Sequence, residues 1–136
     1  MKNGERADRL LREAREVAAE MKQALGHDSW NLATRRAQEA LELTLKALLS
    51  EMGIDYPKTH DPAPVFIQAA RARHIEVGAG ILDAVAILSQ ELAGIRGPVF
   101  YQETVVTDAQ ARDWVQRVEQ ALEFADDLMR RLRTAR

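Results

Sequence analysis

The sequence predicts an all-α fold, an antiparallel up-and-down bundle of four long helices plus one short helix. Three observations predict it. Apolar residues recur at spacings of three and four along most of the chain, which is the period of an amphipathic helix. Glycine and proline cluster between those runs. No segment sustains the every-second-residue alternation of a half-buried strand. The 136 residues are one domain's worth, 1–136. With 46% hydrophobic and 29% charged residues the chain is not of the disordered class.

The elements follow in order. Residues 5–25 form a first helix, with Leu10, Ala14, Val17 and Met21 on one face and Gly26 as its stop. Residues 29–52 form a second, with Asp28 or Ser29 as N-cap. Its second half is apolar nearly all round, as in a central helix or one that also makes a subunit contact. Only Arg35, Glu39, Glu42 and Lys46 keep a thin polar stripe, and Glu42 and Lys46 are a favourable i,i+4 pair. Asp61-Pro62 reads as a helix start, an acid at N-cap and Pro at N1, opening a short helix over 62–73. A fourth helix covers 80–95, with Ile81, Val85, Leu88, Leu92 and Ile95 in register, and Gly94, Gly97 and Pro98 break it. Residues 97–106 are then irregular. Thr107 and Gln110 match a capping box that opens the last helix, 108–133.

Charge and composition exclude several functions. There are no cysteines, hence no disulfide scaffold, thiolate metal site or cysteine nucleophile. No apolar run approaches the roughly 20 residues of a membrane span, and Met1-Lys2-Asn3-Gly4-Glu5-Arg6 is no signal peptide. The expectation is a cytoplasmic protein without membrane contact. A net charge of −2 argues against strong DNA binding.

The histidines His27, His60 and His74 show no metal-ligand spacing, so no metal and no cofactor is expected. His27 and His74 read as structural or solvent-exposed. His60 stands beside Asp61 at a helix start, where it either packs the loop or serves proton transfer and phosphate contact. Arg71 and Arg73 precede His74 and, with the C-terminal arginines, make a candidate phosphate patch. The sharper feature is Arg96-Gly97-Pro98-Val99-Phe100-Tyr101. Arg96 suits a phosphate fork, and Tyr101 can donate a hydrogen bond or stack on a base. The alternative is that Phe100 and Tyr101 plug the bundle end while Arg96 caps helix carbonyls.

The run Ala37-Gln38-Glu39-Ala40-Leu41-Glu42-Leu43-Thr44-Leu45-Lys46-Ala47-Leu48-Leu49 is similar to the second helix of HEPN-domain proteins. Thr59-His60-Asp61 resembles the segment that opens their next helix, and the Arg96–Tyr101 segment resembles the region after the fourth helix in one branch. The likeness covers roughly residues 5–133. It implies a homodimeric helical bundle that binds a nucleotide or RNA. It also implies a minimal nucleotidyltransferase as partner, in a prokaryotic toxin–antitoxin-like pair. Several members of that family are metal-independent RNases with a motif of Arg, four to six residues, then His. There the His moves protons at the ribose hydroxyl and the Arg stabilises phosphorane charge. Here Arg96 matches the Arg, but Tyr101 stands where the His would be, and Glu103 where an extended form of the motif has Tyr. A phenol is a poor base at neutral pH. The leading expectation is therefore a binding protein using Arg96 and Tyr101, with His60, Arg71 and Arg73 as further contacts. A variant RNase, with Tyr101 or His60 in place of the usual His, and a non-catalytic interaction module are the alternatives.

Overall fold

The computed structural model describes residues 2–135, and every regular element among them is a helix. Helix α1 spans Asn3–Gly26, α2 Trp30–Glu51, α3 Ala63–Ala72, α4 Ile81–Phe100 and α5 Asp108–Thr134. The periodic apolar runs of the sequence account for α1, α2 and α5 almost to the residue.

α2 is the centre of the bundle and packs against each of the other four helices. It buries Ala33, Ala37, Leu41, Leu45 and Leu48 on one side and Ala40, Ala47 and Leu49 on others. Its most extensive interface is with α1. Both helices bury many alanines, and small side chains let two backbones approach closely. Phe66 of α3 is fully enclosed and meets Phe124 of α5 edge-on, 6.4 Å between ring centres. Each such large apolar side chain stabilises the fold by about 1.5–3 kcal/mol. At the lower end of the bundle, the enclosed Glu51 carboxylate accepts from Arg133 at 2.8 Å, and Arg133 also reaches Asp8 at 2.7 Å. This ties α5 to the end of α2 and the start of α1. Hydrogen bonding to Glu51, then to Asp8, holds the Arg133 guanidinium above its ordinary value.

The helix ends differ from the sequence reading at three places. α1 runs through Gly26, and the left-handed residue of the following turn is Asp28, with φ of 59°. Ser29 holds the expected N-cap position of α2, though without a side-chain cap bond. Asp61 is not the cap of α3: Pro62 is, and the helix begins at Ala63. The Asp61 carboxylate instead accepts from the buried Ser89 hydroxyl of α4 at 2.6 Å. A buried hydroxyl without a partner is costly, so the long-range bond wins over the local cap.

The third difference matters most. α4 does not stop near residue 95 but continues through Gly94, Gly97 and Pro98 to Phe100. Pro98 cannot bond the carbonyl of Gly94 and would crowd it. Gly94 is exposed, so water can serve that carbonyl, while the enclosed Val99 anchors the last turn. The α4–α5 connection is accordingly short. The Asn31 side chain of α2 fastens it, donating to the Thr104 carbonyl at 2.9 Å and accepting from the Val106 N–H at 2.8 Å. Thr107 and Gln110 form the expected capping box at the start of α5. Among the described residues no helix is long and apolar enough to cross a membrane.

Candidate functional site

The polar stripe of α2 faces the end of α4 and the segment before α3. Between them lies a cleft of about 380 Å³. Arg35 and Glu39 of α2 form one wall, and Ala93, Arg96, Gly97 and Phe100 of α4 another; His60 and Tyr101 complete it. The continued helix explains the second wall: residues 93, 96, 97 and 100 share one helical face at spacings of three and four. A break near residue 95 would have scattered them.

Gln38 joins the two halves. It is 2% exposed. Its Oε1 accepts from Nη1 of Arg96. Its Nε2 donates to Glu42 Oε1 at 2.8 Å and to the His60 carbonyl at 3.1 Å. The amide fits only one way round, because a flip would set an amine against the guanidinium and a carbonyl against the carboxylate. Glu42 then holds the His60 ring, with Oε1 at 2.9 Å from Nδ1, and its Oε2 accepts from Lys46 at 2.7 Å. Burial alone would raise the Glu42 carboxyl. Hydrogen bonds from Lys46, Gln38 and His60, with the Lys46 charge, outweigh it and hold the group below its ordinary value.

The aromatic pair does not plug the bundle. Phe100 is 52% and Tyr101 72% exposed, edge-to-face at 5.0 Å. The Arg35 guanidinium lies 4.7 Å over the Phe100 ring, a cation–π contact. Arg96 bonds an amide side chain rather than helix carbonyls. Two arginines, a histidine and two exposed rings thus share one opening, with Glu39 as the carboxylate among them. Glu39 is itself engaged by Arg36 at 2.5 Å.

The structure brings Arg96, Tyr101 and His60 together, but not Arg71 and Arg73. Arg71 leaves the end of α3 and pairs with Asp83 at 3.4 Å. Arg73 lies in a separate groove with Asn3, Glu51 and Leu132. The direction in which the end of α3 points carries both side chains away from the cleft. A larger groove, about 750 Å³, runs between α1 and α5. Its Arg15 and Arg133 are paired with Asp126 and with Asp8 and Glu51, so it offers little net charge. His27 and His74 are exposed. Among the described residues no cluster of three or more His, Cys, Asp or Glu could hold a metal ion. Gln38 entered the sequence reading only as part of the helix-two run, with no role at the site. Glu42 and Arg35 were visible as a polar stripe on an otherwise apolar helix, with no sign of what they face.

Such a fold and cleft define a small α-helical domain with a cationic, aromatic-edged opening. The family model for the HEPN domain matches residues 7–128, and the chain belongs to the HEPN-domain family. Comparison with curated proteins and comparison with solved structures gave no match.

Proposed function

We propose that this HEPN domain binds a nucleotide or RNA in the cleft between α2 and α4. The convergence of Arg35, Arg96 and His60 with the exposed Phe100–Tyr101 pair carries that reading. Arginine forks suit phosphate oxygens, and exposed rings suit an unpaired base. The family resemblance adds a homodimer and a minimal nucleotidyltransferase partner in a toxin–antitoxin-like pair. Cytoplasmic RNA or nucleotide is the ligand class, with no cofactor.

The test is binding of a short fluorescent oligoribonucleotide to wild type and to Arg96→Ala. The expected result is weaker binding by the variant, about tenfold, and an affinity that falls as salt rises. Equal binding by both proteins, or none by wild type at micromolar concentration, refutes the reading. Co-purification with a co-expressed minimal nucleotidyltransferase tests the partner.

The contact between His60 and Glu42 favours a second reading, a metal-independent endoribonuclease. Here His60 Nε2 takes the ribose 2′-hydroxyl proton. The 2′-oxygen bonds to the adjacent phosphorus, the P–O5′ bond breaks, and a 2′,3′-cyclic phosphate forms. The leaving oxygen takes a proton from water, and the hydroxide so made recovers the proton from His60. Arg96 neutralises charge on the phosphorane. RNA cleavage in the presence of EDTA, lost in both Arg96→Ala and His60→Ala, is the result expected of a nuclease. Intact RNA with wild type leaves binding alone.

A further inference from the structure

The cleft contains an arrangement that the Arg-then-His motif does not describe. His60 comes from the segment before α3, and its ring is held from α2. Three bonds fix it. Gln38 takes its carbonyl at 3.1 Å, Glu42 takes Nδ1 at 2.9 Å, and the neighbouring Asp61 is anchored to Ser89 at 2.6 Å. An ionised carboxylate is acceptor-only, so Nδ1 must carry the hydrogen in that contact. Glu42 is kept ionised by Lys46 and Gln38, which bond it at 2.7 and 2.8 Å. The other ring nitrogen, Nε2, has no partner among the described residues. The same Gln38 that supports Glu42 accepts from Arg96 on its opposite end.

We propose that Glu42 and Gln38 are positioning residues: Glu42 holds His60 as the Nδ1–H tautomer with a free lone pair on Nε2, and Gln38 holds Arg96 beside it. A base and a fixed cation then share one cleft. The base is created by a carboxylate behind the ring, the device that orients imidazole in hydrolytic triads and metal sites. The functional use of this pair rests on the phosphate reading of the cleft. The tautomer itself is a property of the free protein.

The experiment uses the full chain labelled with nitrogen-15. A long-range proton–nitrogen correlation spectrum at about pH 8, where an ordinary histidine is neutral, reads which nitrogen of each ring is protonated. His27 and His74 serve as internal references, since both are exposed. The expected spectrum has His60 as Nδ1–H by at least about tenfold, as a hydrogen bond to a charged group supports. Glu42→Gln should reduce that bias severalfold and leave the references unmoved. Gln38→Met should preserve the tautomer, speed hydrogen exchange at the Arg96 guanidinium severalfold, and weaken binding of inorganic phosphate about tenfold. A wild-type His60 with the same mixed tautomers as His27 and His74 overturns the proposal, and that spectrum needs no variant to fold. A bias that survives Glu42→Gln in a folded variant overturns the role of Glu42. A wild-type protein with the expected tautomer that ignores phosphate and oligoribonucleotide alike overturns the phosphate reading instead.

Discussion

Replacing Asn31 by Ala should cost about 2–3 kcal/mol of stability. Besides a long, exposed bond to Gln102 Oε1 at 3.3 Å, the side chain makes two closer long-range bonds to the α4–α5 connection, to the Thr104 carbonyl and from the Val106 N–H. Each is worth about 1 kcal/mol net. Val106 is 1% exposed, so its N–H loses its partner where water does not easily replace it. A donor left bare in this part-buried bond adds about 1 kcal/mol, the low end of the usual range. Alanine is the better helix former at the start of α2, which returns about 0.5 kcal/mol. Unfolding entropy near 2.1 cal/mol/K per residue gives about 0.29 kcal/mol/K for 136 residues, so the midpoint should fall by about 7–10 °C. Thermal unfolding followed by circular dichroism measures it. Asn31→Asp separates the two bonds, because a carboxylate still accepts from Val106 but cannot donate to Thr104. It should fall between wild type and the alanine variant. A drop under about 2 °C for Asn31→Ala would refute the view that this clip, and not the packing of Val106 alone, holds the connection.

Three shorter expectations stand beside it. Thr107→Ala removes the capping box of α5 and should cost about 1 kcal/mol in urea unfolding. Phe66→Ala opens a cavity against Phe124 and should cost about 3–5 kcal/mol, or abolish folding at 37 °C. Glu42 has a folded pKa below the ordinary value of 4.5, so its contribution is complete above that value and is lost as pH falls through the folded pKa. The stability gap between wild type and Glu42→Gln should therefore be constant from pH 8 to about 6 and shrink below the ordinary value; a gap that widens in acid is the contrary result.

Long periodic segments were legible in the sequence because one physical rule decides them. α1, α2 and α5 bury a stripe at spacings of three and four, and the stripe is written in the residue types. The end of α4 was not legible. Gly94, Gly97 and Pro98 are local breakers, and only the tertiary setting shows why they fail: Gly94 faces solvent while Val99 is enclosed. The candidate site was legible as residue types and not as a constellation. Arg96, Tyr101 and His60 stand out by chemistry and by their place near helix ends. Their association depends on Gln38, which meets Arg96 across 58 positions of sequence. Among the alanines and leucines of α2 nothing marks a glutamine as the link. Arg71 and Arg73 lie outside that cleft, since closeness in sequence to a helix end does not tell which way that end points.

The bond from Arg96 to Gln38 also has an entropic consequence. A free arginine side chain carries about 2 kcal/mol of rotamer freedom, which is surrendered when a ligand immobilises it. In this protein one guanidinium N–H is already committed to a buried amide, so part of that freedom is surrendered on folding. An anion that reaches the cleft meets a fork already aimed. Sparing even half of the loss, about 1 kcal/mol, is roughly fivefold in affinity. The burden falls on the stability of the bundle, whose central helix carries the polar ladder.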